Sequence, residues 1–181
     1  MFSFSIKKDY PKKESDETKM KTPDYNHIFR NPDYSKNVYE PSEDTFILLD
    51  AIENDIKDLK NRFRVNQSPL CLEIGTGNGV PGTFLLEILL NNNLNPFIYL
   101  TDINSTALKC AQETILVNST EKQDLKARAG LLRSNLFEAF SSQLSFDIGL
   151  ESVNFRFCQC NGLNIGTSPI LFAADLPTLL I

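Results

Sequence analysis

The stretch Leu72-Glu73-Ile74-Gly75-Thr76-Gly77-Asn78-Gly79 constrains this chain more than any other. A short apolar run bounded by turn residues suits a buried parallel strand, and it breaks into a turn with glycine at every second position. Gly75, Gly77 and Gly79 allow φ above zero and let backbone approach a ligand that any Cβ would push away. Pro81 then suits the first turn of a helix through Phe84-Leu85-Leu86-Glu87-Ile88-Leu89-Leu90, which Asn91-Asn92-Asn93 stops. Strand, glycine turn and helix in this order describe a nucleotide pocket. A dinucleotide fingerprint would need glycine at position 80, where this chain has Val80, so a pyrophosphate and a nicotinamide oxidoreductase are disfavoured.

The unit repeats. Phe97-Ile98-Tyr99-Leu100-Thr101 reads as a second strand ending at Asp102, and Ala107, Leu108, Ala111 and Ile115 line one face of a helix ending near Asn118. A third strand is expected around Ala127 to Arg133 and a fourth around Phe146 to Leu150. Upstream, Phe46, Leu49, Ile52 and Ile56 recur at helical spacing behind an acidic first turn, predicting a helix from Glu43 to Leu59. Alternation of this kind implies an α/β fold with a Rossmann-like, doubly wound, mostly parallel sheet, binding its ligand outside the carboxyl ends of the strands.

The 181 residues, 41% hydrophobic and 23% charged, suit one domain. Residues 1–21 read as a mobile arm, 22–150 as the cofactor-binding domain and 151–181 as an atypical apolar tail. A net charge of −5 argues against a general phosphate-backbone binder. The N-terminus lacks a signal-peptide pattern, no apolar run reaches membrane-spanning length, and the expected compartment is the cytoplasm, with the nucleus also open. Four cysteines and the single His27 lack zinc-site spacing, so reduced thiols and no intrinsic metal are expected. The Asn-x-Ser/Thr triplets at Asn104 and Asn118 read as chance matches. His27 reads as a surface or arm residue rather than a base.

Asp102 lies twenty-three residues beyond Gly79, one βα unit on, where a carboxylate can accept from both hydroxyls of a ribose. Glu73, beside the turn, can counter an ammonium directly or through water. S-Adenosylmethionine has that ribose, an ammonium and a sulfonium, and no phosphate. The plainer alternative is a tight turn with exposed acids.

The blocks Tyr39-Glu40-Pro41-Ser42-Glu43-Asp44-Thr45, Leu72 to Val80 and Thr101-Asp102-Ile103-Asn104 together resemble the HemK-like class I methyltransferases, most closely the eukaryotic branch that methylates a glutamine of the translation release factor. With Thr22-Pro23 and Tyr25-x-His27, the resemblance runs from Thr22 to Ile148. It implies a sheet of about seven strands, S-adenosylmethionine as cofactor, the release factor as protein substrate and a small zinc-binding activator protein as partner. It also implies that Thr45, Glu73 and Gly75 line the methionine end of the pocket, that Gly77 belongs to the same turn, and that Asp102 takes the ribose. Asn135 and Leu136 fall where the family has Asp-Leu at the adenine; Asn keeps an acceptor but adds a donor and loses the charge.

The family's catalytic element, Asn-Pro-Pro-Tyr after the fourth strand, orients the substrate amide through the Asn side chain and a proline carbonyl. Here that window reads Asp147-Ile148-Gly149-Leu150-Glu151-Ser152-Val153-Asn154-Phe155-Arg156-Phe157, without prolines, and no catalytic residue is assigned. The resemblance ends near Gly149. A frameshift, a retained intron or an alternative transcript would explain the simultaneous loss of motif and charge, and would leave the sheet incomplete at its C-terminal end. The competing reading is a non-catalytic protein that binds S-adenosylmethionine or a partner.

Overall fold

The computed structural model describes residues 19–65, 67–135, 138–140, 146–151 and 170–173. Two short helices, α1 (His27–Arg30) and α2 (Pro32–Asn37), precede the long α3 (Glu43–Arg62). Then β1 (Leu70–Ile74), α4 (Val80–Asn91), β2 (Phe97–Asp102), α5 (Ser105–Asn118) and β3 (Ala129–Arg133) alternate, followed by β4 (Ile148–Glu151) and β5 (Ile170–Ala173). All strand pairs are parallel, in the order β3-β2-β1-β4-β5. The order reverses at β1, which places a crevice outside the carboxyl ends of β1, β2 and β4.

The doubly wound parallel sheet expected from the alternation is therefore present. Its central strand β1 has Cys71, Leu72 and Glu73 all buried, as a strand covered on both faces requires. Helix α4 is apolar almost all round and correspondingly buried, with Phe84, Leu85, Leu86, Ile88 and Leu89 in the core. Pro81 occupies its first turn, and Asn93 takes a left-handed φ of 61° just past its end. In α3 the buried stripe is Leu48, Leu49, Ile52 and Leu59; Phe46, expected on that stripe, faces outward, and the helix continues to Arg62.

Several boundaries differ from expectation for local reasons. A 3-10 turn at Lys126–Arg128, closed by the Arg128 amide on Leu125 O, delays β3 until Ala129. Asp147 delays β4: its amide donates to Leu70 O and its carboxylate accepts the Leu70 amide at 2.9 Å, so it guides the chain onto β1 before the ladder begins. Lys19 pairs with Asp50 at 2.8 Å and the Met20 amide donates to Glu53, so the last residues of the expected arm dock on α3. Ile170–Ala173, in the stretch read as a tail, pairs with β4 as β5, giving five strands among the described residues. No helix of the described residues is long and apolar enough to cross a membrane.

Candidate cofactor site

Gly75, Gly77 and Gly79 all adopt left-handed φ, at 68°, 52° and 75°, so the turn exists only because these positions lack a Cβ. The space beside Gly77 and Gly79 differs. At Gly79 a Cβ would lie 2.6 Å from Ala111 Cα, so glycine permits the close packing of α4 against α5. At Gly77 a Cβ would meet only Gly75 O, at an ordinary 3.9 Å, so glycine is needed there for its left-handed φ rather than for room. Backbone bonds hold the turn: Thr76 N donates to Thr101 O at 2.9 Å and Gly79 N to Thr76 O at 2.8 Å.

Glu73 lies beneath the turn and is fully buried, which removes the alternative in which this acid is exposed. Its Oε2 accepts from Thr76 Oγ1 at 2.7 Å, while its Oε1 is buried with no hydrogen-bond partner. Burial pushes the carboxyl up to about 8; the Thr76 and Gly82 hydrogen bonds oppose that shift and the Asp102 charge adds to it. Gly82 is needed here as well, because a Cβ would run into this carboxylate. A buried acid with an unpaired oxygen fits a cationic ligand, whose charge would hold it ionised.

Asp102 ends β2. Its Oδ2 accepts the Gly77 amide at 3.0 Å and its Oδ1 the Asn104 amide at 2.8 Å. A carboxylate has about four acceptor positions, so one on each oxygen remains for a vicinal diol. The Asp102 carbonyl accepts the Ser134 amide at 3.1 Å, which brings the segment after β3 beside the same crevice. Asn135 follows there, exposed, with its amide nitrogen donating to Glu138 Oε1 at 3.0 Å. Leu136 and the window Ser152 to Phe155 lie outside the described residues.

Thr45 is the third residue of α3, and its hydroxyl accepts the Ser42 amide at 3.3 Å in a capping box. Its observed task is to start the helix. The fold brings Glu73, Gly75, Gly77 and Asp102 into one turn system and places Thr45 at the head of a neighbouring helix.

Residues without an apparent role in the sequence tie the N-terminal segment over this edge. Asn78 donates from Nδ2 to Tyr39 O at 3.0 Å, while its Oδ1 accepts the Val80 amide at the head of α4. Asn104 caps α5 through the Thr106 amide and donates to Asn37 O at 2.9 Å. Asn118 grips the Asp24 backbone at both its N–H and its C=O. Both triplet asparagines are thus occupied by structural bonds. His27 corrects the surface assignment: only 8% exposed, it packs edge-on to Tyr34 and meets Cys110 O and Thr114 Oγ1 on α5. A buried imidazole in a four-residue helix gives no periodic signal, which is why the sequence misplaces it.

Among the described residues no group of His, Cys, Asp or Glu could hold a metal ion. Cys71 and Cys110 are buried free thiols whose pKa values are raised chiefly by burial, Cys110 to about 12, and neither is suited to nucleophilic work.

Over 102 residues the chain is 38% identical to methyltransferase HEMK2 of Mus musculus, a stretch covering 56% of this chain and 42% of that protein. Over 84 residues it is 39% identical to the eRF1 methyltransferase catalytic subunit mtq2 of Schizosaccharomyces pombe, covering 46% of this chain and 35% of that one. The chain therefore matches less than half the length of these relatives. No family model matches it. The CMeT domain of the citrinin polyketide synthase shares the fold with a TM-score of 0.50 at 19% identity, over 69% of this chain and 32% of that one. The sheet is thus of the class I, Rossmann-like methyltransferase kind, and the resemblance to the HemK-like methyltransferases is borne out by relatives over about half the chain.

Proposed function

We propose that this chain binds S-adenosylmethionine in the glycine turn and acts as a protein methyltransferase on a glutamine of the translation release factor. The observation that carries the reading is the buried, half-satisfied Glu73 carboxyl beneath three left-handed glycines, one βα unit before Asp102. When bound, the cofactor supplies a methyl group on a sulfonium, which the amide nitrogen takes with loss of a proton, leaving a neutral thioether. Glu73 balances the positive charge of the methionine end. Asp102 accepts from the ribose hydroxyls, and Gly75 and Gly77 admit the ligand against bare backbone. Thr45 is assigned to the methionine end and Asn135 with Leu136 to the adenine by resemblance, and a small zinc-binding activator is the proposed partner in the cytoplasm.

Titration calorimetry of the full chain with S-adenosylmethionine and S-adenosylhomocysteine tests the pocket. Micromolar binding supports it, and preferential binding of NAD overturns it. Transfer of a labelled methyl group to the release factor, with the activator present, tests the reaction.

A second reading is favoured by one sequence observation: the window Asp147 to Phe157, where Asn-Pro-Pro-Tyr would orient the substrate amide, contains no proline. It describes a protein that binds the cofactor without transferring its methyl group. Binding without turnover, with turnover appearing once Asn-Pro-Pro-Tyr is restored after β4, would establish it.

A further inference from the structure

We infer that His27 is a positioning residue for the cofactor pocket, acting through Thr114 on the carbonyl of Asn78 in the glycine turn. This rests on the reading above only in naming the ligand.

The direction of the chain of bonds follows from what each atom can do. His27 Nε2 lies 3.3 Å from Cys110 O, a carbonyl that can only accept, so Nε2 carries the proton. The same N–H lies 3.2 Å from Thr114 Oγ1 and donates there too. The Thr114 hydroxyl has one proton and two candidate acceptors, Asn78 O at 2.6 Å and Cys110 O at 3.1 Å. Bonding back to the carbonyl four residues earlier is the ordinary habit of a helical threonine. Asn78 O at 2.6 Å is the nearer acceptor, and His27, competing at Cys110 O and donating to the hydroxyl oxygen, biases the proton toward it.

Asn78 is the turn residue with most to gain from such a tether. It sits between two left-handed glycines, the most freely moving neighbours a residue can have. His27, Thr114 and Asn78 are each at most 8% exposed, so water does not substitute for a missing partner. Fixing the Asn78 carbonyl fixes the Gly79 peptide plane and, with it, the approach to α4. A turn ordered beforehand does not pay that ordering cost when a ligand arrives.

The test compares the full chain with Thr114→Val, Thr114→Ser, His27→Phe and His27→Gln. Two quantities are read: hydrogen exchange of the peptide containing Gly75 to Thr83, and affinity for S-adenosylhomocysteine by calorimetry. Removing either polar link is expected to speed exchange in this peptide selectively and to weaken binding about tenfold, as loss of a buried partner does. The serine and glutamine variants, which keep a donor, are expected to stay near the parent. Because the links act in series, His27→Phe added to Thr114→Val should cost little more than Thr114→Val alone.

Unchanged exchange in the glycine turn, or failure of the serine variant to restore it, overturns the inference, as does full additivity of the pair. Should the parent chain not bind the nucleoside, the proposed ligand falls while the exchange data still decide whether the relay exists. A variant that melts below assay temperature is replaced by its conservative partner, whose parent-like exchange is required.

Discussion

The Oδ2 of Asp102 accepts the backbone amide of Gly77 at 3.0 Å, joining the loop after β2 to the loop after β1. One carboxylate thereby ties together the two loops at the carboxyl ends of β1 and β2. Its second oxygen is equally committed, to the Asn104 amide at the head of α5. On the proposed reading, changing this residue is expected to disturb structure and recognition together, with effects that differ in size.

Asp102→Asn is expected to lower stability by about 1 to 3 kcal/mol, because an amide presents a donor toward one of two backbone donors. The loss of affinity for S-adenosylhomocysteine should be larger than tenfold, since a neutral amide accepts less strongly from two ribose hydroxyls. Thermal melting and calorimetry on the same preparation separate these effects. Equal affinity in the variant would remove Asp102 from the ribose.

The glycines separate in the same way. Gly77→Ala carries the strain of a left-handed alanine, about 1 to 2 kcal/mol, and its methyl would meet no protein atom closer than Gly75 O at 3.9 Å. Gly79→Ala carries that strain and an overlap with Ala111 backbone, adding about 1 to 3 kcal/mol. The first should abolish ligand binding in a protein that still melts cooperatively; the second should chiefly lower the melting temperature.

The fold was legible because its signals are local: alternating glycines, Pro81 inside the first turn of α4, and apolar strands bounded by turns. Glu73 was read as an acid near the ligand, but its full burial depends on Gly82 and Leu100, which come from later elements. Thr45 closes the capping box of α3, a bond that its place three residues after Ser42 allows. His27 was misplaced because α1 and α2, of four and six residues, are too short for a helical period and are held by α5 from eighty residues away. Tertiary bonds of that span leave no mark on the local sequence.

Glu73 makes a pH prediction whose sign is fixed. Its folded pKa is raised from 4.5 to about 8, chiefly by burial, so the folded protein holds a proton that the unfolded chain releases. Its stabilising contribution is complete below about pH 4.5 and is lost as pH rises through 8, with a limiting slope of about 1.4 kcal/mol per pH unit. Glu87, raised to about 7 chiefly by burial, acts in the same direction. Denaturant melts of Glu73→Gln from pH 5 to 9 should show a flatter profile, retaining only the Glu87 contribution, which ends near pH 7. A cationic ligand needs the ionised form, so affinity should rise from pH 6 to 8 in the parent and stay level in the variant.

Asn104→Ala removes the cap of α5 and the bond to Asn37 O in one step. A lost cap costs about 0.5 to 2 kcal/mol, which chemical denaturation would measure. Asn104→Asp keeps the cap acceptor but loses the donor to Asn37. It should recover most of that stability while leaving residues 37–39 more open to limited proteolysis.

The tether between Asn78 and Tyr39 also bears on how the protein ages. Asn followed by Gly is the dipeptide that cyclises most readily to succinimide and deamidates when its backbone is free. Here the carboxamide is held at both ends, by the Val80 amide and Tyr39 O, and the Gly79 nitrogen that would attack it is bound to Thr76 O. Two of these three bonds lie within the turn and α4 themselves, so the fold that spaces the glycines also keeps Asn78-Gly79 chemically intact for as long as it stays formed.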